Sequence, residues 1–413
     1  MEHYDLLLYA HFLHVIGPLF FPNTNTRITS LMALLSYGST YIFKPLGGIV
    51  FGHIGDTKGR KVVLGSSILL MSFPSVIVGS LPTYADIGVW APISLILCRV
   101  LQSFSEGGET PGAAVFLVES SKKNNVAFYS SLIGVAIYCG GILGSLIGYC
   151  SVTSSLPEWS WRIPFWFGGV LGIIGFYIRF KALESPKFKE IQKKGQIKKV
   201  PFLEVFKNHK KSVLCNIGLA SGIQSIGMFN IAYIPFMSKT VFSLETSQVL
   251  LLTTFFMGIC ILFLLLHGVL ADRFGNRKWM ILGSIFCCIL VPFVLHYADT
   301  AEFFSFVLMQ IALCFFFCAL KAPLNAITTL EFFPTNVTFT ANAFCWGLSG
   351  AFFGGLTPLI CQLLKDWTGS FWGPSCYVIF CQLLVLTAIY FAPNVLTNKK
   401  KVKTSPVKNA LKG

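Results

Sequence analysis

Long apolar runs separated by short polar breaks make up most of the chain, and each run can cross a bilayer as a helix. Transmembrane β-barrels have short segments of alternating hydrophobicity instead, and this sequence contains none. The pattern therefore predicts an all-α integral membrane protein with twelve transmembrane helices. The predicted spans are roughly 5–22, 32–55, 62–81, 90–119, 126–150, 161–180, 213–237, 247–271, 279–297, 303–330, 339–364 and 372–395.

The composition agrees with a membrane protein and excludes other classes. Of the 413 residues, 54% are hydrophobic and 12% are charged, whereas about a quarter of a soluble domain is charged. The net charge of +15 does not indicate nucleic-acid binding, because the basic residues lie in short loops between apolar runs. The 13 cysteines form no CxxC pair and no Cys/His cluster, so neither a metal site nor another cofactor is expected.

The distribution of lysine and arginine predicts the orientation of the chain. Most of the 32 basic residues fall in alternate loops on one side, together with the segment after residue 396. Basic loops stay on the cytoplasmic side, so both termini are predicted to be cytoplasmic, in the cell inner membrane. A Lys-rich loop divides the chain into an N-terminal bundle 1–180, a linker 181–212, a C-terminal bundle 213–396 and a basic tail 397–413.

One loop sequence occurs twice, at equivalent places in the two halves. GHIGDTKGRK spans 52–61 and GVLADRFGNRK spans 268–278, and we name these segments the first and the second repeat loop. Each contains Gly, then Asp four residues on, then Gly three residues on, then basic residues. Duplicated halves with a site between them are typical of secondary transporters, so two pseudosymmetric six-helix bundles are predicted.

The fourth predicted span carries four polar side chains that need partners. Arg99, Gln102, Glu106 and Glu109 stand at i, i+3, i+7 and i+10, on one face of a helix. A charge in hydrocarbon costs at least about 2.5–3.5 kcal/mol, so such a face indicates a polar pathway. We expect Glu106 or an anionic substrate to neutralise Arg99, with a structural salt bridge as the alternative. Glu106 and Glu109 are candidates for proton coupling, with hydrogen-bonded structural roles as the alternative.

Other polar residues inside the predicted spans extend this set of candidates. Lys44 and Lys321 are amines that need a carboxylate from the protein or from the substrate, although Lys44 could instead reach the membrane surface. Asp5 and Tyr9 share one helix face at i, i+4. Asn230 can bind substrate or join two helices. The supply of cations favours an anionic or zwitterionic substrate.

Four stretches of the sequence resemble the metabolite:proton symporter family of the major facilitator superfamily. The resemblance covers essentially the whole chain and is nearest to the proline/betaine branch. It implies proton-coupled uptake of a small polar metabolite by alternating access, and Asp5 and Tyr9 match the family's D-x-x-x-Y motif. The stretches are KPLGGIVFGHIGDTKGRK (44–61), WAPISLILCRVLQSFSEGGETPGAAVFLVE (90–119), WSWRIPFWFGGVLGIIGFYIRFKALESP (159–186) and EFFPTN (331–336).

The resemblance also implies roles for single residues. Glu109 falls on the family's G-G-E motif and is the favoured proton carrier. The family has arginines where this chain has Asn336 and Thr338, and a basic residue near Val126, so we expect a weaker ion-pair network at the cytoplasmic end. An ordinary topogenic loop is the alternative for the first repeat loop. The implied gating residues are Asp56, Gly59, Arg60, Glu119, Asp272, Gly275, Arg277 and Glu331.

Together these features predict a secondary active transporter, not an enzyme, that takes up a small carboxylated or zwitterionic metabolite with protons. The expected partners are the substrate, protons and the lipid bilayer, and the protein is expected to act as a monomer. The alternatives are a drug or antimetabolite exporter, a non-transporting sensor and, least supported, a membrane enzyme, since no catalytic motif is present. The substrate candidates are Tyr9, Lys44, Arg99, Gln102, Asn230 and Lys321, and the proton-coupling candidates are Asp5, Glu106 and Glu109.

Overall fold

The structure is a computed structural model, and it describes residues 2–22, 41–122, 124–153, 157–181 and 183–392. Within these ranges the chain forms helices and short connections, with no β-strand. The predicted basic tail 397–413 and the first part of the span predicted at 32–55 lie outside the described residues.

The N-terminal half forms long helices joined by short turns. A single turn of helix, Tyr84–Ile87, and a 3-10 segment, Glu158–Arg162, lie in the connections. Two short helices follow within the predicted linker: α7, Pro186–Lys193, and α8, Pro201–Asn208. The long helices are α1 Glu2–Phe20, α2 Lys44–Thr57, α3 Arg60–Ser80, α4 Trp90–Ser120, α5 Val126–Thr153 and α6 Ile163–Lys181.

The C-terminal half is also helical but less regular. Its helices are interrupted by π-helical turns at Phe229–Tyr233, Thr328–Phe332 and Gly350–Gly354. Single π turns inside α-helices occur frequently at functional sites. The helices are α9 Lys210–Met228, α10 Ile234–Val241, α11 Thr246–Phe274, α12 Asn276–Asp299, α13 Phe303–Lys321, α14 Leu324–Ile327, α15 Thr338–Ser349, α16 Thr357–Thr368 and α17 Trp372–Phe391.

Many of these helices are long and apolar enough to cross a membrane. Among the described residues there are nine such stretches, and they do not include α1, α2 or α4. The described part of α2 has 14 residues, and α4 is interrupted by buried charges. The nine are Arg60–Ser80, Val126–Cys150, Trp159–Lys181, Lys210–Val241, Ser247–Phe274, Asn276–Asp299, Phe303–Phe332, Thr338–Thr368 and Trp372–Phe391.

The apolar side chains divide between the interior and the outer surface. One buried cluster is centred on the C-terminal half and another lies in the N-terminal half. A smaller cluster joins the halves, because Phe51 and Val115 pack with Phe339 and Ala343. Large apolar side chains such as Ile173 and Phe304 are exposed on the outer surface. A multi-pass helical protein presents such a surface to lipid.

Small residues let α2 approach α4 closely. A Cβ atom on Gly47 would lie 1.8 Å from the carbonyl oxygen of Phe104, and one on Gly107 would lie 2.3 Å from that of Lys44. Neither position can accept a side chain without moving a backbone. Close approach through small residues is the usual way in which membrane helices pack, and here it fixes α4 beside Lys44.

Candidate functional site

The N-terminal half of α4 is joined to α1 by a buried polar chain. The Arg99 guanidinium lies 4.2 Å from the centre of the Tyr9 ring and donates to Gln102 Oε1 at 2.7 Å. Gln102 Nε2 donates to Asp5 Oδ2 at 2.9 Å, and Ser75 Oγ donates to Asp5 Oδ1 at 2.6 Å. None of these side chains reaches solvent. The structure thus brings four of the predicted residues together and adds Ser75.

Glu106 forms a buried ion pair with Lys44. The Lys44 ammonium lies 3.2 Å from Glu106 Oε2, and the two side chains are 5% and 2% exposed. The sequence placed Glu106 as a partner for Arg99, whereas the structure directs its carboxylate to α2. Lys44 also stands where the two halves meet, since a Cβ on Gly347 of α15 would lie 3.0 Å from its carbonyl oxygen.

Glu109 pairs with Arg179, a residue near the end of the predicted span 161–180 that was not among the predicted site residues. Its Oε1 lies 2.9 Å from Arg179 Nη2, and Arg179 Nη1 donates to the Leu64 carbonyl at 2.9 Å. Glu109 Oε2 is buried and has no hydrogen-bond partner among the described residues. The four polar positions of α4 share one face, but they reach different neighbours: α1, α2 and α6. Arg179 was counted among the basic residues that predict the orientation of the chain, so nothing in the sequence distinguished it from the other basic residues there.

Two adjoining cavities lie between helices of the two halves. Each has a volume of about 20 Å³, which is room for about one water molecule. Arg99, Gln102, Glu106 and Glu109 line neither of them, while Lys321 lines the second. Sequence reasoning missed most of their polar lining, because isolated amides and hydroxyls in apolar runs also join helices. The missed lining residues are Thr110, Ser130, Ser131, Asn216, Thr328 and Asn342.

Lys321 is the cation that borders the cavities. Its ammonium lies 5.2 Å from the centre of the Tyr138 ring and 5.5 Å from that of Phe317. Tyr138 comes from α5, so this contact joins the two halves. Aromatic faces stabilise a cation that has lost water.

Asn230 lies in the first π-helical turn and contacts α13. Gln310 Nε2 donates to Asn230 Oδ1 at 2.7 Å. Asn230 Nδ2, Gln310 Oε1 and the Tyr233 hydroxyl are buried without a hydrogen-bond partner among the described residues. Such atoms are costly unless water or a ligand satisfies them. Sequence reasoning missed Gln310 and Tyr233, although a glutamine inside the apolar run of α13 was a usable signal.

The first repeat loop reaches across to α15. Asp56 Oδ2 accepts from the Thr340 backbone N–H at 2.9 Å and from its hydroxyl at 2.7 Å. Asp56 Oδ1 accepts from the Phe339 N–H at 3.3 Å. Because α15 begins at Thr338, the carboxylate caps the positive end of that helix.

Arg60 ties this contact to other parts of the N-terminal half and to the C-terminal half. Its guanidinium lies 3.0 Å from Asp56 Oδ1 and 3.2 Å from Glu119 Oε1. It also donates to the Thr335 carbonyl at 2.9 Å. The side chains of Arg60 and Asp56 are fully buried. A buried arginine requires this degree of neutralisation, because it stays charged.

The second repeat loop makes the equivalent contact in the opposite direction. Asp272 accepts from the backbone N–H groups of Ala127 at 2.8 Å and Phe128 at 2.9 Å, at the start of α5. Arg277 Nε lies 2.6 Å from Glu331 Oε2, with side chains 27% and 16% exposed. Each aspartate therefore caps a helix of the other half.

The glycine in each repeat loop allows two helices to meet at a sharp turn. Gly59 has φ +115° and Gly275 has φ +101°, backbone conformations that other residues rarely adopt. Gly59 separates α2 from α3, and Gly275 separates α11 from α12. The shared sequence motif thus produces the same local backbone at both places.

The linker after α6 packs on the first repeat loop, which the sequence did not predict. The Glu184 carboxylate accepts from the backbone N–H groups of Arg60 and Lys61, both at 3.1 Å. Ser185 Oγ donates to Glu119 at 2.6 Å. Asn336 stands where the family pattern has an arginine. Its Nδ2 donates one long hydrogen bond, 3.5 Å, to the Gln196 carbonyl. The ion pairs of Arg60 and Arg277 form without the arginines that the family pattern has.

Comparison with known proteins shows the family. The profile of the Major Facilitator Superfamily matches two stretches of this chain, residues 12–245 and 214–412. The chain belongs to the major facilitator superfamily. It is therefore a multi-pass membrane protein of a transporter family, which agrees with the apolar helices.

Relatives with assigned substrates resemble this major facilitator over nearly its whole length. It is 30% identical to the proline/betaine transporter of Salmonella typhimurium, over 99% of this chain and 83% of that protein. It is 28% identical to the glycine betaine/proline/ectoine/pipecolic acid transporter OusA of Dickeya dadantii, with the same coverage. These relatives confirm the predicted resemblance to the proline/betaine branch.

Solved structures confirm the fold of this major facilitator. The proton:xylose symporter XylE bound to 6-bromo-6-deoxy-D-glucose matches it with a TM-score of 0.79 at 15% identity, over 94% of this chain and 92% of that one. At that identity the likeness concerns the fold alone.

Proposed function

We propose that this protein is a symporter that takes up a small carboxylated or zwitterionic metabolite, of the proline/betaine or dicarboxylate kind, together with protons. The observation that carries the proposal is the buried Lys44–Glu106 ion pair, 3.2 Å apart, at the place where the two halves meet. A titratable carboxylate that holds a cation can release that cation to a substrate carboxylate when it is protonated. The names of the relatives support this substrate class.

The proposed architecture is the twelve-helix arrangement of two six-helix bundles, 1–180 and 213–396, joined by the linker 181–212. Both termini are cytoplasmic, and the protein acts as a monomer in the cell inner membrane. It needs no cofactor, since the proton gradient supplies the driving force.

The substrate enters between the bundles and binds cations and hydrogen-bonding groups. Lys321, beside the second cavity, holds a carboxylate, and Lys44 joins it once Glu106 is protonated. Arg99, with Tyr9 and Gln102, completes the outer part of the site. Asn230 Nδ2, which has no partner among the described residues, donates to the substrate from the other bundle.

Protonation follows from the positions of the carboxylates. Glu109 is the proposed proton carrier, because one of its oxygens is buried and has no hydrogen-bond partner among the described residues, so it can take a proton without losing a bond. Asp5 and Glu106 contribute to the coupling. Neutralising Glu109 weakens its pair with Arg179, and neutralising Glu106 weakens its pair with Lys44, so proton binding and substrate binding favour the same state.

Alternating access then requires the repeat loops to separate from their partners. In the arrangement described above, Asp56 and Asp272 hold the two halves together at the predicted cytoplasmic end. Glu119 and Glu331 position Arg60 and Arg277, and Gly59 and Gly275 form the turns. Opening of this end breaks both aspartate contacts and releases the substrate to the cytoplasm. The gating residues are Asp56, Gly59, Arg60, Glu119, Asp272, Gly275, Arg277 and Glu331.

An uptake panel in proteoliposomes tests this function. Radiolabelled proline, betaine, 2-oxoglutarate, citrate and shikimate are supplied with and without an inward proton gradient. We expect one of them to accumulate, and only with the gradient. The proposal fails if no carboxylated solute enters. Accumulation that does not depend on the gradient would show that transport is not coupled to protons.

Single variants test the individual roles. Glu109→Gln is expected to abolish gradient-driven accumulation but to keep exchange of labelled for unlabelled substrate. Glu106→Gln, which weakens the pair with Lys44, is expected to raise substrate affinity and to weaken the pH dependence of binding. Glu190→Gln is the matched control, because Glu190 is a surface carboxylate of α7, 62% exposed. If Glu109→Gln still accumulates substrate, Glu109 is not the proton carrier.

A further inference from the structure

The second cavity is bordered by a buried hydroxyl that the transport proposal does not use. Ser130 of α5 lines this cavity and is 1% exposed. Its Oγ is buried without a hydrogen-bond partner among the described residues. Such an atom is costly unless a water molecule or a ligand satisfies it, so Ser130 indicates that the cavity has an occupant.

Helices of both halves form the wall around Ser130. Gly134 lies one turn after Ser130 on the same face of α5. A Cβ atom on Gly134 would lie 2.7 Å from Leu264 Cδ1 and 3.5 Å from Lys321 Cε. The Lys321 side chain therefore lies against the face of α5 that carries Ser130, and both residues border the same cavity.

The chemistry of this wall favours an anion over a cation. Lys321 supplies a positive charge, and the hydroxyl and amide groups around the cavity can donate hydrogen bonds. No carboxylate lines either cavity in the part of the chain that the structure describes. A cation placed here would be repelled by Lys321 at close range. The side chains with hydroxyl, amide or ammonium groups that line the second cavity are Thr110, Ser130, Ser131, Lys321 and Asn325.

The size of the second cavity restricts the anion to a single atom. A volume of about 20 Å³ holds about one water molecule, so phosphate, sulfate or a whole organic acid does not fit in this arrangement of the helices. Chloride is only a little larger than water, and a hydrogen bond from a hydroxyl or an amide to it is charge-assisted. A water molecule also satisfies Ser130, but it gains less from the charge of Lys321.

We propose that the second cavity is a chloride site, in which the ion contacts the Lys321 ammonium and accepts a hydrogen bond from Ser130 Oγ. The amide of Asn325 on α14 completes the site. Because Ser130 belongs to the N-terminal half and Lys321 to the C-terminal half, the ion joins the halves and favours the state in which they are in contact. In the transport cycle proposed above, a substrate carboxylate replaces the ion at Lys321, and this consequence alone rests on the proposed function.

Thermal unfolding of the full-length protein in detergent tests the proposal. Midpoints are measured in increasing sodium chloride, with sodium isethionate as the replacement salt at constant ionic strength, because isethionate is too large for the cavity. We expect the midpoint to rise with chloride and to saturate, and bromide to act like chloride. Crystals grown in sodium bromide should show an anomalous peak between Ser130 Oγ and Lys321 Nζ. Neither readout requires a substrate, so the result is independent of the uptake panel.

Two serines of α5 give the matched comparison. Ser130→Ala is expected to weaken chloride binding about tenfold or more, because it removes a hydrogen bond to a charged partner. Ser145→Ala is the control: Ser145 is also 1% exposed, and its Oγ also lacks a partner among the described residues, but it lines neither cavity. The control should respond to chloride as the parent does.

Removing the cation gives the larger effect. Lys321→Gln is expected to abolish the response to chloride. The proposal is overturned if the parent has the same midpoint in both salts, which would mean that water alone occupies the cavity. It is also overturned if either Ser130→Ala or Lys321→Gln responds to chloride like the parent, because the ion would then bind elsewhere.

Discussion

The two repeat loops share a sequence motif, yet the first is anchored more firmly than the second. Asp56 accepts three hydrogen bonds from α15, one of them from the Thr340 hydroxyl. Asp272 accepts two from α5, where the corresponding residues, Ala127 and Phe128, have no hydroxyl. Duplication thus kept the helix-capping geometry, and the partner helices decide its strength.

The arginines of the two repeat loops also differ, because that of the first loop is more deeply buried. Arg60 is fully buried between two carboxylates, while Arg277 is 27% exposed and its partner Glu331 is 16% exposed. Removing one partner of a buried charge cluster costs far more than removing a partly exposed pair, because it leaves an uncompensated buried charge. We therefore expect the first repeat loop to dominate the stability of the contact between the two halves at the repeat loops.

The largest effect is expected from removing the buried arginine. Arg60→Ala leaves Asp56 and Glu119 close together without a cation, and should destabilise the protein by about 3–5 kcal/mol. Arg277→Ala, the matched variant in the second loop, should cost about 1 kcal/mol or less. Thermal unfolding midpoints in detergent measure both. Equal shifts for the two variants would contradict the difference between the loops.

A second effect concerns the position of the conformational equilibrium. Asp56→Asn keeps the shape of the side chain but weakens the bonds to α15, and should cost the contact between the two halves about 3 kcal/mol. Asp272→Asn should cost less. The maleimide reaction rate of an added Asn325→Cys in the cavity lining, followed by mass spectrometry, reports the opening.

The parent carrying only Asn325→Cys gives the reference rate. A Lys58→Gln variant, which changes a charge in the same loop without touching α15, is the control. If Asp272→Asn accelerates labelling as much as Asp56→Asn, the first repeat loop is not anchored more firmly than the second.

Sequence reasoning reached the helical fold and the duplicated loops because both depend on local pattern. Apolar runs specify helices, and Gly59 and Gly275 specify turns with positive φ. The partners of these loops could not be predicted, since Thr340 is almost 300 residues from Asp56 and shows no feature that separates it from other threonines. Glu184 and Ser185 were missed for the same reason, because a polar linker normally lies in water.

The polar face of α4 also shows that the sequence does not predict the partner of a buried side chain. Spacing correctly placed Arg99 and Glu106 on one buried side, but it offered Glu106 as one possible partner of Arg99. The structure directs Glu106 to Lys44 and Arg99 to Tyr9, because packing against α2 and α1 decides which neighbour each side chain reaches. Periodicity identifies a buried face, whereas partner choice depends on contacts between distant segments.

A third prediction compares the two glycines. Gly275→Ala should cost about 1–3 kcal/mol for its backbone conformation alone, since a Cβ there meets nothing within 4 Å. Gly59→Ala should cost about 1–2 kcal/mol more, because its Cβ would lie 2.3 Å from Glu184 Oε2 and displace the acceptor of two backbone bonds. Unfolding midpoints of Gly59→Ala with and without Glu184→Ala separate the two causes. The extra cost should vanish in the Glu184→Ala background, and its persistence would assign the effect to the backbone.

The smallest expected effect tests the hydroxyl that distinguishes the loops. Thr340→Val removes the 2.7 Å bond to Asp56 but keeps the size of the side chain, so it should cost about 1.5 kcal/mol. Thr338→Val, two residues earlier in the sequence, is the control, because its hydroxyl donates to the Pro334 carbonyl instead. The loss caused by Thr340→Val should disappear when Asp56 is already Asn, whereas that of Thr338→Val should not. An unchanged loss would mean that the Thr340 hydroxyl does not make the first repeat loop the stronger one, and that the burial of Arg60 is sufficient.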